Sequence, residues 1–431
     1  MKRLLLVFVL IAFGVGAYKA SLFHADYGFQ VRAPAAASNN DAFFQSSFAS
    51  SKQHVQTHAA SLIELKDGRI RAFWFSGSRE GAKDVEIHSA VFDPAQGAWG
   101  AEQTVASREG TEKSLMRYIS KLGNPVPARA ADGTLWLYYV TVSMGGWAGS
   151  SITAMSSADD GATWAPARRL ITSPFLNIST LVKGAPFSYS DGTMGLPVYH
   201  EFISKFGEIL HLGRNGAVLD KQRLTAGGDG ALQPVVLTRG PKDALALMRY
   251  AGAGAPHRVI SVATRDGGQH WGAPAKAALS NPDAALTAVT LPDGRMLAVL
   301  NNQERGRDAL SLMLSTDGGS IWQNVYQLED QRKQPTDESH FLKTVEGLAG
   351  DTDVRAAAAP GDYVESVKGQ VCAAQGCRFE FSYPYLIQAR NGDFHLVYTW
   401  NRSFIKHVWF TRAWLEQRLK GAVPVRVSGH D

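Results

Sequence analysis

An eight-residue pattern, Ser/Thr-x-Asp-x-Gly-x-x-Trp, stands three times in this chain, at Ser157 to Trp164, Thr264 to Trp271 and Ser315 to Trp322. A chain that repeats such a unit builds one supersecondary element several times over. Each copy follows an alternating or apolar run. The Asp can accept turn amides, the Gly can take positive φ, and the Trp can anchor the end of a hairpin in a core. Asp159, Asp266 and Asp317 are therefore read as structural turn residues rather than catalytic acids. A weaker copy ends at Trp99.

A second repeat is independent of the first. Turn dipeptides split two short β-like runs at Asp67-Gly68, Asp132-Gly133, Asp191-Gly192, Asp293-Gly294 and Asn391-Gly392, with Lys242-Asp243 as a degenerate member. The intervals of roughly 50 to 65 residues suit one four-stranded blade each. The fold expected is all-β, a six-bladed β-propeller over residues 51–420, with one long insertion at 323–380. That insertion holds Pro335, the alanines at 356–359 and both cysteines, and is expected to fold over a face. Cys372 and Cys377 suit a small local disulfide loop, because no His or Cys stands at zinc-ligand spacing beside them. No metal, phosphate or nucleotide motif appears, so no cofactor is expected.

Residues 1–20 carry Lys2 and Arg3 before an apolar run reaching Ala17, which reads as a signal peptide cleaved after Ala17 or retained as a membrane anchor through residues 4–17. Either outcome exports the body to the periplasm or beyond. Residues 21–50 read as a linker and 421–431 as a tail, and the segment at Trp414 reads as a closing element that ties the C-terminus to an early strand. A net charge of +5 with no long Lys/Arg run argues against a nucleic-acid partner and remains compatible with an acidic oligo- or polysaccharide bound by a monomer.

In a propeller the innermost strand of each blade begins at one mouth of the central channel, and the next strand returns to it. Counting back from the turn dipeptides gives His58, Asn124, Lys183, Gln233, Asp283 and Tyr383, all polar. Counting forward gives Arg79, Glu80 and Asp84, then Tyr199 and Glu201, Arg249, Arg307, and Arg402. Polar groups converging from six blades make an axial ligand site the default expectation.

Across nearly all of residues 54–415 the sequence resembles the sialidase superfamily, in particular the neuraminidase-like BNR or Asp-box repeat proteins. Gly77 to Ile87 is similar to the segment with the family's acid/base Asp, Arg249 and Arg307 match two of its three carboxylate-binding arginines, and Tyr383 in Phe-Ser-Tyr-Pro matches its nucleophilic tyrosine. The resemblance implies a glycosidase site with Arg79 and Asp84 among its working residues. Three positions depart from it: His58 replaces the first arginine, Thr399 the glutamate that supports that arginine, and Gln233 the glutamate that deprotonates the tyrosine.

Three activities fit this set. In a glycoside hydrolase, Asp84 or Glu80 protonates the leaving oxygen while Glu201 or His58 activates water or Tyr383. In a polysaccharide lyase, His58 and Tyr383 act as base and acid beside a uronate neutralised by Arg79, Arg249 or Arg307. In a binding protein the same pocket only holds glycan, with Asn124, Lys183, Tyr199, Gln233 and Arg402 as further contacts.

Overall fold

The structure is a computed structural model and describes residues 2–22, 28–31, 41–51, 54–173, 177–332, 337–350, 360–373 and 376–421. Six antiparallel sheets of four or five strands succeed one another along the chain. Blade one contains Gln56–Glu64, Ile70–Gly77 and Glu86–Asp93, with the short outer strands Ala98–Trp99 and Gln103–Ala106. Blade two runs Lys121–Arg129, Leu135–Val142, Ser150–Ser157 and Arg168–Arg169. Blade three has an interrupted inner edge, Leu181–Val182 and Phe187–Ser188, followed by Met194–His200, Phe206–Leu212 and Val218–Arg223. Ala231–Thr238, Ala244–Tyr250, Arg258–Thr264 and Ala275–Ser280 form blade four, and Thr287–Thr290, Met296–Leu300, Ala309–Ser315 and Gln323–Asp330 form blade five. Blade six is Phe381–Gln388, Phe394–Trp400 and Phe404–Phe410, with Phe44–Phe48 as its outermost strand.

The reason these sheets form a ring lies in their two apolar faces. The second strand of blade two, Leu-Trp-Leu-Tyr-Tyr-Val-Thr-Val, is buried at every position, as a sheet packed on both sides requires. Six core clusters result, each seated between neighbouring blades. Phe73, Phe75, Leu122 and Tyr139 lie between blades one and two, for example, and Ala60, Trp74, Tyr385 and Ile405 between six and one. The six turn dipeptides all connect the first and second strands of their blades, and the glycines at 68, 133, 192, 294 and 392 all have φ between 82° and 90°.

The repeated Asp turns connect third and fourth strands. In the first copy Ser157 Oγ donates to Asp159 Oδ1 at 2.7 Å while accepting from the Gly161 amide, and Asp159 accepts the Thr163 amide at 2.9 Å. The carboxylate is consumed by its own turn, which holds its pKa far below the usual range.

Three segments differ from the sequence reading. Gln323–Asp330 completes blade five, so the insertion begins only after it. The supposed linker at 21–50 is partly structural, because Phe44–Phe48 pairs with Phe404–Phe410. Phe29, 2% exposed, packs on Phe187 and Tyr189 of blade three. The C-terminal region is tied to an early strand as expected, through Phe404–Phe410 and Phe44–Phe48, but the segment around Trp414 is a helix, Arg412–Gly421, rather than the closing element. Within the insertion, helices Glu338–Gly350 and Pro360–Val371 place Phe341, Val345 and Val367 in the core shared by blades five and six. A disulfide joins Cys372 to Cys377 across a two-residue-long hairpin pairing. Pro335, the alanines 356–359 and the tail from 422 lie outside the described residues. Lys2–Leu22 is helical with Leu4, Phe8 and Phe13 exposed, and among the described residues no helix is long and apolar enough to cross a membrane.

Candidate functional site

The inner strands enter the axis through a repeated kink. Asn124, Gln233, Asp283 and Tyr383 have φ of 39°, 52°, 58° and 54°, values a non-glycine residue adopts only when its surroundings impose them. In blades two, four and six the pairing register breaks at this residue, between Gly123 and Val126, Leu232 and Val235, and Ser382 and Tyr385. Such a bulge turns a side chain out of the ladder and re-aims it. Blade one has the same break between His58 and Ser61, but there Ala59 takes the positive φ of 55°, so His58 stands one residue earlier than the kinked position of the other blades.

These side chains form a hydrogen-bonded arc through five blades. Asn124 Nδ2 and Gln233 Nε2 both donate to Tyr199 Oη, at 3.2 and 3.3 Å. Arg249 then donates to Gln233 Oε1 at 3.3 Å and to Asp283 Oδ1 at 2.6 Å. Arg307 donates to the Asp283 carbonyl at 2.8 Å and to Glu380 Oε1 at 3.2 Å, and Arg402 reaches Glu380 Oε2 at 2.6 Å. Burial works to raise the Glu380 pKa, but His58, Arg402 and Arg307 outweigh it and hold the carboxyl below its usual range.

Glu380 was not among the residues expected from sequence. It lies three positions before Tyr383, at the end of what reads as an insertion, and nothing local in the sequence links it to Arg307 or Arg402. Its carboxylate joins two guanidinium groups, one of them a predicted carboxylate-binding arginine. The supporting role expected to be lost at Thr399 takes another form: Thr399 Oγ1 accepts the Ala59 amide at 3.0 Å and so braces the kink beside His58.

His58 and Lys183 complete the floor. The His58 ring lies 4.5 Å from that of Tyr383, and burial lowers its pKa to about 3, so it is neutral at working pH. Lys183, 3% exposed, donates to the Ala60 carbonyl at 3.3 Å and lies 5.8 and 5.0 Å from the ring centroids of Tyr383 and Tyr385. Burial lowers its pKa to about 7.

At the mouth the charged residues separate into two groups. Glu80 is open to the solvent of the channel yet surrounded by protein, and this desolvation raises its pKa against the opposing pull of Arg402, Arg307 and Arg249. Glu201 is raised in the same way and feels both Arg249 and Glu80. Asp84 stands apart from the arc. Its carboxylate accepts the Ser78 amide and hydroxyl, both at 2.9 Å, and its pKa is low because these bonds and His54 outweigh partial desolvation. Arg79 is exposed, with no guanidinium hydrogen bond or ion pair to a described residue. A separate cavity of about 350 Å³ lies at the far end of the inner strands, lined by Leu62, Pro127, Ala185 and Ile387, away from the arc.

Residues 68–396 match the family described as BNR repeat-like domain. Among solved structures, a Hadza microbial sialidase superposes with a TM-score of 0.61 at 14% identity, over 86% of this chain and 67% of its own. The NanB sialidase of Streptococcus pneumoniae gives 0.59 at 9% identity, over 89% and 70%. The intramolecular trans-sialidase of Ruminococcus gnavus, in complex with oseltamivir carboxylate, gives 0.60 at 10% identity over 90% and 99%. At these identities the likeness is one of fold. No curated protein sequence matches the chain.

Proposed function

Since this chain belongs to the BNR repeat-like domain family, we propose that it is an exported sialidase-type glycoside hydrolase whose axial pocket cleaves an anionic glycan. The observation that carries the reading is the pair Glu80 and Glu201, two carboxyls whose pKa values desolvation by the surrounding protein raises and whose charges act on one another. Two carboxyl groups flanking a glycosidic bond are the working parts of most glycoside hydrolases. Glu80, its pKa raised by desolvation, gives its proton to the leaving oxygen. Glu201 takes a proton from the water whose oxygen bonds to the anomeric carbon. Tyr383, held between the His58 ring and Lys183, lines the floor beneath the sugar.

The anionic preference follows from charge. Around the arc the guanidinium groups of Arg249, Arg307 and Arg402 face the carboxylates of Asp283 and Glu380, leaving one positive charge in excess, with Arg79 at the lip. Glu380 already engages Arg307 and Arg402, so a substrate anion meets Arg249 and the outer edge of Arg402 rather than an open three-arginine cradle. Export is supported by Lys2 and Arg3 ahead of an apolar helix with exposed side chains. Cell fractionation that leaves the chain in the cytoplasm would overturn that part.

The test is digestion of sialylated and uronate-containing oligosaccharides, read by mass spectrometry. The hydrolase reading expects fragments that have gained one water across the cleaved bond, and a loss of about 100-fold or more in turnover for Glu80→Gln. One observation favours a second reading: the His58 ring lies against that of Tyr383, which sets side by side the two groups a lyase would use as base and acid beside a uronate. A lyase would give an unsaturated, ultraviolet-absorbing product and would depend on His58 rather than Glu80. Binding without either product would reject both.

A further inference from the structure

Three residues from separate segments of blade one meet away from the axis: His54, just before the inner strand, His88 on the third strand, and Glu102, just before the outer strand Gln103–Ala106. One ligand atom from each lies within 4.8 Å of the other two. Glu102 Oε2 is taken by the Ser51 amide at 2.9 Å and the Ser51 hydroxyl at 2.8 Å. Its other oxygen, Oε1, faces His88 Nδ1 at 3.4 Å and His54 Nε2 at 4.0 Å.

The polar atoms here are buried without satisfaction. His88 and Glu102 side chains are each 2% exposed. Neither His88 nitrogen, nor His54 Nε2, has a hydrogen-bond partner among the described residues. A buried imidazole with both nitrogens idle costs stability unless something fills the space between.

We propose that His54 Nε2, His88 Nδ1 and Glu102 Oε1 form a binding site for a divalent late first-row metal ion, Zn²⁺ in the first place. Metal–ligand bonds of about 2.0–2.1 Å in a tetrahedron put neighbouring ligand atoms roughly 3.4 Å apart, the spacing that His88 and Glu102 already have. Two imidazoles and one carboxylate suit zinc, whereas Ca²⁺ and Mg²⁺ take oxygen ligands. His54, a quarter exposed, leaves the fourth position open to water. His88 Nε2 faces Glu86 Oε2 at 3.9 Å, where a carboxylate would orient the ring of a metal-bound histidine. Sequence reading expected no metal because the ligands are scattered over three segments with no motif spacing; only the sheet brings them together.

The location gives the ion a task. His54 stands where the chain crosses from Phe44–Phe48 of blade six to Gln56–Glu64 of blade one, four residues ahead of His58. An ion held by His54, His88 and Glu102 would fasten this crossing to the outer half of blade one. This proposal does not depend on the catalytic reading.

The experiment uses the full chain without a histidine tag. After chelator treatment, addition of ZnCl₂ and gel filtration, mass-spectrometric metal analysis should find one zinc per chain, and zinc should raise Tm by several degrees while CaCl₂ and MgCl₂ do not. His54→Ala, at the more exposed ligand, and Glu102→Gln should each lose at least tenfold in zinc affinity and the accompanying Tm rise. His54→Ala keeps the test open should substitution of the deeper Glu102 prevent folding. No stoichiometric zinc, zinc retained equally by His54→Ala, or an equal response to calcium would each overturn the proposal.

Discussion

Glu80 and Asp84 share one loop, yet their environments pull the two carboxyls in opposite directions. Desolvation raises Glu80, while the paired Ser78 bonds keep Asp84 ionised. A general acid must hold its proton at working pH, so the proposed hydrolase mechanism gives that role to Glu80 rather than Asp84. Asp84→Asn is expected to leave kcat within about threefold of wild type, against a loss of about 100-fold or more for Glu80→Gln. The wild-type rate should decline as pH rises through the elevated Glu80 pKa, since deprotonation removes the acid; steady-state pH profiles of the three proteins check both points. Lys183 supplies a second residue-scale prediction, on stability. Its pKa falls from 10.5 to about 7 on folding, so between those values the unfolded chain binds more protons and stability rises with pH. Below pH 7 both states are protonated and the full cost of a buried ammonium is present. Lys183→Met should flatten the rise in Tm measured from pH 7 to 10 and raise Tm most at neutral pH.

At the scale of the element, legibility follows the range of the interactions. The Asp turns were readable because every bond that makes them lies within five residues, as between Ser157, Asp159 and Gly161. The first-to-second-strand turns were readable for the same reason. The kinks left only a polar residue at a countable distance from each turn, which identified Asn124, Gln233, Asp283 and Tyr383 but could not show that Ala59, not His58, sits at the kink of blade one. Phe44–Phe48 was invisible, because its partners Phe404–Phe410 lie at the other end of the chain. Its anchoring residue is Phe48, 5% exposed, with Trp400 and Phe404 rings 5.2 and 5.5 Å away. Phe48→Ala should cost about 3 kcal/mol in denaturant unfolding, as for other buried aromatics cut to alanine. The Cys372–Cys377 link closes a very short loop, which constrains the unfolded chain little. Reduction should therefore move Tm by only a degree or two. Because the link leads into Phe379, which packs 4.3 Å from Phe341, and then into Glu380, any larger response should appear in turnover.

For the whole molecule, the decisive contact is the one that makes a row of blades into a ring. Each inter-blade core needs both of its blades, and the blade six to blade one core is completed only when the two chain ends have met. Phe44 pairs with Phe410 and Phe48 with Lys406, Phe43 N donates to Thr411 Oγ1 at 3.1 Å, and Ala49 N donates to the Ile405 carbonyl at 2.8 Å. These contacts span almost the full length of the chain, so their closure entropy must be met before they return any stability. The N-terminal strand therefore acts as a latch that engages last, after the C-terminal strands exist to receive it. A chain beginning at residue 41 keeps the latch but loses Phe29 from the blade-three core, and should unfold in a single cooperative transition somewhat below that of the longer protein. A chain beginning at residue 54 leaves Phe404–Phe410 as an exposed edge and opens the pocket filled by Phe48. It should show a broadened, lower transition in calorimetry, and a synthetic peptide of residues 41–51 added in trans should restore part of the loss. Identical transitions for the two truncations would mean that a sixth blade of three strands with an open edge suffices, and that the ring does not depend on its latch.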